Sequence, residues 1–179
     1  MDIARILDAL NSLARTGWMI RGIPPSIAET VSQHSYASSI IALYLAEKLG
    51  KRGVKVDLYK AAVLALLHDL PEAFTGDILR PFSIEHIPRK EEIELAVLER
   101  EVELESIKRL YREYVEQTTV ESRIARLADY IATYIQAVVY KEKGYRVDDI
   151  IAGVRKRIEE LAENLGISDA VRYILGSKT

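Results

Sequence analysis

The sequence predicts an all-α protein, a single domain built as a bundle of about six to eight helices. Three observations lead there. Apolar residues recur at three- and four-residue spacing along nearly the whole chain. No stretch alternates apolar and polar residues as a half-buried strand would. The nine Gly and five Pro gather between the periodic runs, where they mark turns.

The first helix is expected over Asp2–Ala14. The segment Arg15–Pro25, with two Gly and two Pro, reads as a loop. A second helix is expected over Ile27–Leu49, stopped by Gly50 and Gly53. Asp57 is a natural N-cap for a third, Leu58–Leu67, which is apolar almost all round and therefore expected at the centre of the bundle. The chain then turns through Pro71, Gly76 and Pro81. From Pro88 a charged helical region begins, with Ile93, Val97, Leu104, Ile107, Tyr111 and Tyr114 as its inner face. It is long for one globular helix, so a break is expected inside it, and its Glu/Lys/Arg cover reads as a solvated face or a dimer rim. Further helices are expected over Val120–Lys143, over Val147–Leu165 and from Ser168.

Composition narrows the function classes. With 25 basic against 27 acidic residues, the net charge of −2 disfavours a binder of long nucleic acids. The absence of cysteine excludes disulfides, thiolate metal sites and thiol nucleophiles. Asp2, Arg5 and Asp8 make the N-terminus unlike a signal peptide, and no apolar run approaches the ~20 residues of a membrane span, so a cytoplasmic protein is expected. Few Asn, Gln and Met beside abundant Glu, Lys and Arg is a thermophile-like bias.

Four polar residues stand where the helical pattern calls for apolar ones. His34 shares a stripe with Ala37, Ile41 and Tyr44; His68 and Asp69 close the apolar run AAVLALLHD; Asp129 lies one turn from both Ala125 and Ala132. Buried charge without a partner costs several kcal/mol. One divalent cation would compensate all four, since imidazole and carboxylate suit Co, Mn, Ni, Fe or Zn. Taken singly, a buried His is more often a hydrogen-bonded core residue than a ligand, and a lone His-Asp dipeptide is a weak signal.

Taken together, His34, then His68-Asp69, then Asp129 resemble the signature of the HD-domain metal-dependent phosphohydrolases. Glu29-Thr30-Val31-Ser32-Gln33-His34-Ser35, His68-Asp69-Leu70-Pro71-Glu72-Ala73-Phe74-Thr75-Gly76-Asp77-Ile78 and Arg15-Thr16-Gly17-Trp18 are similar to segments of the 5′-deoxynucleotidase branch. Gln33 departs from it, since relatives often carry an acid there. The resemblance spans about residues 10–137 and leaves the C-terminal helices, 147–175, to pack on that part of one domain, 1–179.

The resemblance implies a helical bundle in which His34, His68, Asp69 and Asp129 hold one divalent transition metal. It also implies hydrolysis of nucleoside 5′-monophosphates, preferably deoxy, and a homodimer, for which the apolar C-terminal helices are one candidate interface. The expected partner is a small nucleotide. Glu72 is the candidate acid or base, with orientation of a ligand histidine as the alternative. Asp77 is expected at the sugar hydroxyl, or else in a turn or cap. Arg15 is the expected phosphate clamp, because a guanidinium binds two oxygens in a fork, and Arg21 a weaker one. Trp18 would wall the sugar or base, or plug the first helix. Glu29 would hold Arg15 or orient its loop. His86 reads as a surface residue. Two other functional readings stay open: phosphodiester or triphosphate hydrolysis, and a binding module without turnover.

Overall fold

The computed structural model describes residues 2–79 and 90–176. Among these are ten helices: α1 (Ile3–Ser12), α2 (Thr16–Met19), α3 (Val31–Gly50), α4 (Leu58–Leu67), α5 (Glu72–Thr75), α6 (Lys90–Glu101), α7 (Glu105–Glu116), α8 (Val120–Glu142), α9 (Asp148–Asn164) and α10 (Ser168–Ile174). Two of them, α2 and α5, are single turns of four residues. The remaining eight make the expected all-α bundle. Pro81, His86 and Pro88 lie outside the described residues. No described helix is long and apolar enough to cross a membrane.

Helix α8 is the axis of the bundle, packing on α3, α4, α7 and α9. Its inner face buries Ile124, Ala125, Leu127, Ala128 and Ile131 against Leu45 and Leu49 of α3, Leu64 and Ala65 of α4, and Ile158 of α9. Alanines at the crossings (Ala42, Ala46, Ala61, Ala125) let the helix axes approach closely. That closeness brings polar groups on three different helices to one point.

Helix α3 begins at Val31, later than Ile27, because Thr30 makes a better start. Its hydroxyl accepts the Gln33 N–H while the Gln33 amide oxygen accepts the Thr30 N–H, a reciprocal cap. Gln33 thus has a structural task. The preceding loop is pinned by one antiparallel bridge, Ala14 to Thr30, with Arg15 N–H donating to Glu29 O at 3.0 Å and Val31 N–H to Leu13 O at 3.0 Å.

Two expectations need correction. Helix α4 buries only Ala61, Leu64 and Ala65 and lies at the side of the bundle, with Tyr59 80% exposed and Val63 and Leu66 outward. It ends at Leu67, and Pro71, which has no N–H to extend it, precedes the separate turn α5. The charged region breaks between α6 and α7 as expected, but α6 turns Glu94 and Leu98 inward rather than Ile93 and Val97.

Candidate metal centre

His34 lies in the first turn of α3, His68 caps the C-terminus of α4 with Asp69 after it, and Asp129 sits in the middle of α8. Their side chains converge. His34 Nε2 is 3.1 Å from Asp129 Oδ1, and His68 Nε2 is 3.8 Å from the same oxygen. Asp69 Oδ2 stands 3.0 Å from His68 Nε2 and 3.9 Å from His34 Nε2. Ligand atoms each about 2.1 Å from one ion stand roughly 3 Å apart at right angles and about 4 Å apart across it, so these spacings suit a shared cation.

The hydrogen bonding makes the same case. His68 Nδ1 donates to the Ala65 carbonyl at 2.7 Å, which leaves the Nε2 lone pair facing the carboxylates. That Nε2 is buried, with Asp69 Oδ2 at 3.0 Å and Asp129 Oδ1 at 3.8 Å its carboxylate neighbours. A lone pair and two carboxylates directed at one point are a donor set for a divalent cation. Around His68, burial disfavours the charged imidazole, but Asp69 and Asp129 outweigh it and raise the pKa. Burial likewise opposes the Asp69 carboxylate, and His68, Lys90 and His34 reverse this and hold it well below the usual range.

The centre opens into a cavity of about 650 Å³ with a mixed lining. Charged side chains such as Arg15, Asp69, Glu72, Asp77 and Lys90 and apolar ones such as Ile20, Ile78, Leu79, Ile150 and Val154 both line it. A charged group and a flat apolar ring joined in one molecule would match such a lining.

Arg15 reaches the centre from the loop before α2. Its Nη1 lies 3.0 Å from His34 Nδ1, 3.3 Å from Glu29 Oε2 and 3.4 Å from Thr133 Oγ1. Burial opposes its charge, but Glu29, Asp69, Asp129 and Asp77 together raise its pKa. Glu29 also accepts from Trp18 Nε1 at 3.2 Å, and its backbone N–H donates to the Tyr140 hydroxyl at 2.7 Å. Trp18, 2% exposed, packs edge-on against Tyr140 at 5.1 Å, so most of the ring plugs the small cluster under the cavity while its edge borders the cavity itself. Arg21 is turned to the rim, paired with Asp149 at 2.5 Å, and ties the loop to α9. Asp77 Oδ2 accepts the Thr16 N–H at 2.6 Å, and its carbonyl accepts the Thr16 hydroxyl at 2.9 Å, joining the loop after α5 to α2.

The sequence pattern did not point to Lys90, Glu94, Tyr111 or Tyr114, all of which belong to this site. Lys90 Nζ is 2.5 Å from Glu72 Oε1, 3.4 Å from Glu94 Oε1 and 3.9 Å from Asp77 Oδ1. Tyr111 donates to Glu94 Oε2 at 2.7 Å, and Tyr114 to Asp129 Oδ2 at 3.2 Å. The available signal was the Lys90/Glu94 spacing of four, which puts both charges on one helical face. In a region so rich in charge, that spacing reads as solvated surface. Glu72 is 2% exposed, and burial with the nearby Asp69 pushes its carboxyl up to about 9 against the pull of Lys90.

Several known proteins are similar to this chain. A 5′-deoxynucleotidase of Dictyostelium discoideum is 27% identical over 161 residues, covering 84% of this chain and 82% of its own. A dATP triphosphohydrolase of a Salmonella phage is 38% identical over 82 residues, covering 43% of this chain and 41% of its own. The solved structure of a conserved hypothetical protein from Pyrococcus furiosus superimposes with a TM-score of 0.83 at 32% identity, covering 97% of this chain and 98% of that one. The family model of the HD domain matches residues 7–165, and the chain belongs to the HD-domain family.

Proposed function

We propose that the protein is a divalent-metal-dependent phosphohydrolase that removes the 5′-phosphate of nucleoside monophosphates, preferably deoxy, giving nucleoside and inorganic phosphate. The observation that carries this reading is the buried cluster of His34, His68 and Asp129, with Asp69 beside it, opening onto a cavity lined by both charged and apolar side chains. The relatives named 5′-deoxynucleotidase support the same reaction.

The cation, when bound, draws charge off a phosphoryl oxygen and acidifies water. The chain supplies the rest. Arg15 is placed to fork two phosphoryl oxygens. Glu72 takes a proton from the attacking water as the new O–P bond forms, and can return it to the departing 5′-oxygen as the old P–O bond breaks. Ile78, Leu79, Ile150 and Val154 exclude water around the base. Asp77 Oδ1, on the cavity wall, is within reach of the sugar. The ion is Co, Mn, Ni, Fe or Zn, since two imidazoles and two carboxylates do not select among them.

A matrix of nucleotides against metals, scored by phosphate release, tests the proposal. Release from deoxynucleoside monophosphates with Co²⁺ or Mn²⁺, lost on adding EDTA, is expected. Binding without release across the panel would overturn it in favour of a module without turnover.

A second reading, triphosphate hydrolysis, is favoured by one observation. A groove of about 510 Å³ bearing Arg123, Arg126 and Arg157 adjoins the cavity, sharing Tyr130 and Arg157 with it. Those guanidiniums would suit further phosphates. Release of tripolyphosphate rather than orthophosphate would decide for it.

The proposed homodimer draws support from another face. Tyr36 and Ile40 of α3 and Tyr59, Val63 and Leu66 of α4 are exposed large apolar side chains on two helices that pack on each other. On the last two helices, in contrast, Tyr173 is the one exposed large apolar side chain among the described residues.

A further inference from the structure

We infer that Lys90 is a positioning residue that decides which oxygen of Glu72 handles the proton. The inference rests on the phosphohydrolase reading above and deepens it.

Three carboxylates face the Lys90 ammonium, and one of them, Glu72, is hydrogen-bonded to it. Each turns one oxygen toward Lys90, and the fate of the other oxygen differs. Glu94 gives its second oxygen, Oε2, to the Tyr111 hydroxyl at 2.7 Å. Asp77 gives Oδ2 to the Thr16 N–H at 2.6 Å. Glu72 keeps its second oxygen, Oε2, buried with no hydrogen-bond partner among the described residues; Glu94 Oε1 is likewise unpartnered, but Glu72 lines the cavity and Glu94 does not. A buried oxygen without a partner costs about 1–3 kcal/mol, so its persistence calls for a use. Because the ammonium holds Oε1 at 2.5 Å, rotation of the carboxyl is blocked and Oε2 is the oxygen left to meet water.

The anchor is itself built. The Lys90 side chain is only 14% exposed, set in the first turn of α6, and Glu94 one turn on fixes it from below. Tyr111 of α7 holds Glu94 in turn. Lys90 therefore also bridges Glu72, at the chemistry, to Asp77, at the proposed sugar subsite. Its own role is to orient: the closest of its contacts is a carboxylate of the chain.

Steady-state kinetics on Lys90→Gln, Lys90→Arg and Lys90→Ala, with Co²⁺ titration of each by absorbance, tests this. Lys90→Gln is expected to lower kcat about 10- to 100-fold with KM changed less than about threefold. Co²⁺ affinity stays level or tightens, since a positive charge has left the neighbourhood of Asp69. Lys90→Arg recovers part of kcat, and added methylammonium partly restores turnover to Lys90→Ala. Full kcat in Lys90→Gln overturns the inference alone. So does a fall in Co²⁺ affinity as large as the fall in kcat, because the residue would then merely hold the fold. A wild-type chain that hydrolyses no nucleotide overturns the phosphohydrolase reading, and this inference with it.

Discussion

The Tyr114 hydroxyl donates to Asp129 Oδ2 at 3.2 Å, while Asp129 Oδ1 faces His34 Nε2 at 3.1 Å. One oxygen of the carboxylate is thus held by the bundle and the other is aimed at the metal centre. Arg126 lies over the same tyrosine ring at 4.2 Å, which restrains it further. Removing the hydroxyl frees Asp129 to rotate. Tyr114→Phe should weaken Co²⁺ or Mn²⁺ binding about 10-fold while leaving the helical circular dichroism unchanged, since the ring that packs the core remains. Calorimetric titration with the metal measures it. Unaltered affinity would mean that the backbone of α8 alone orients the ligand.

Glu72 makes stability depend on pH. Its folded pKa, about 9, lies above the ordinary 4.5, so the folded chain holds a proton that the unfolded chain releases. This contribution is fully present below pH 4.5 and is lost as pH rises through 9. His68 is also raised, and acts in the same direction. Denaturant midpoints of the metal-free protein should therefore fall between about pH 5 and pH 9, and Glu72→Gln should flatten much of that slope. A bound cation should reverse the sign, because it offsets the charge of Asp69 and lowers the Glu72 pKa. Midpoints with and without Mn²⁺ over the same range check both statements.

Arg15 has two duties, and a conservative change separates them. Its Nη1 already touches Glu29 and His34, so its charge is needed even without substrate. Arg15→Lys keeps the charge and loses the fork, and should raise KM for a nucleoside monophosphate about 10-fold with a smaller fall in kcat. Arg15→Ala also leaves Glu29 short of a partner, at a cost of about 1–3 kcal/mol in stability. Initial rates over a substrate series, with thermal unfolding of both variants, measure these effects.

Much of this site was legible in the sequence because its ligands violate the apolar period. His34, His68 and Asp129 stand where a helix calls for Ala or Leu, and burial in the bundle brings them together. The Leu58–Leu67 helix with its Asp57 cap was legible too, each end being fixed by local chemistry. What the pattern could not carry was direction at a distance. Lys90 and Glu94 read as solvated because twelve residues of α6 are mostly charged, and only Glu72 and Tyr111, on other elements, make their face an inner one. The apolar Tyr59, Val63 and Leu66 carried the opposite ambiguity. A helix without a polar face is either central or covered by another molecule, and periodicity does not distinguish the two.

That second possibility sets the last prediction. Tyr36, 67% exposed, and Ile40 lie four residues apart on α3, and Tyr59, Val63 and Leu66 run along one side of the adjoining α4. Five large apolar side chains on two packed helices make a patch that water disfavours, and a second copy of the chain would cover it with the same residues about a two-fold axis. Sedimentation equilibrium should accordingly give a dimer. Ile40→Glu with Val63→Glu should weaken its dissociation constant by at least about 100-fold, since each copy then buries unpaired carboxylates. The metal ligands project from the other side of α3 and α4, so the Co²⁺ affinity of the resulting monomer should match that of the parent. A parent that sediments as a monomer at every concentration would leave these side chains without this partner.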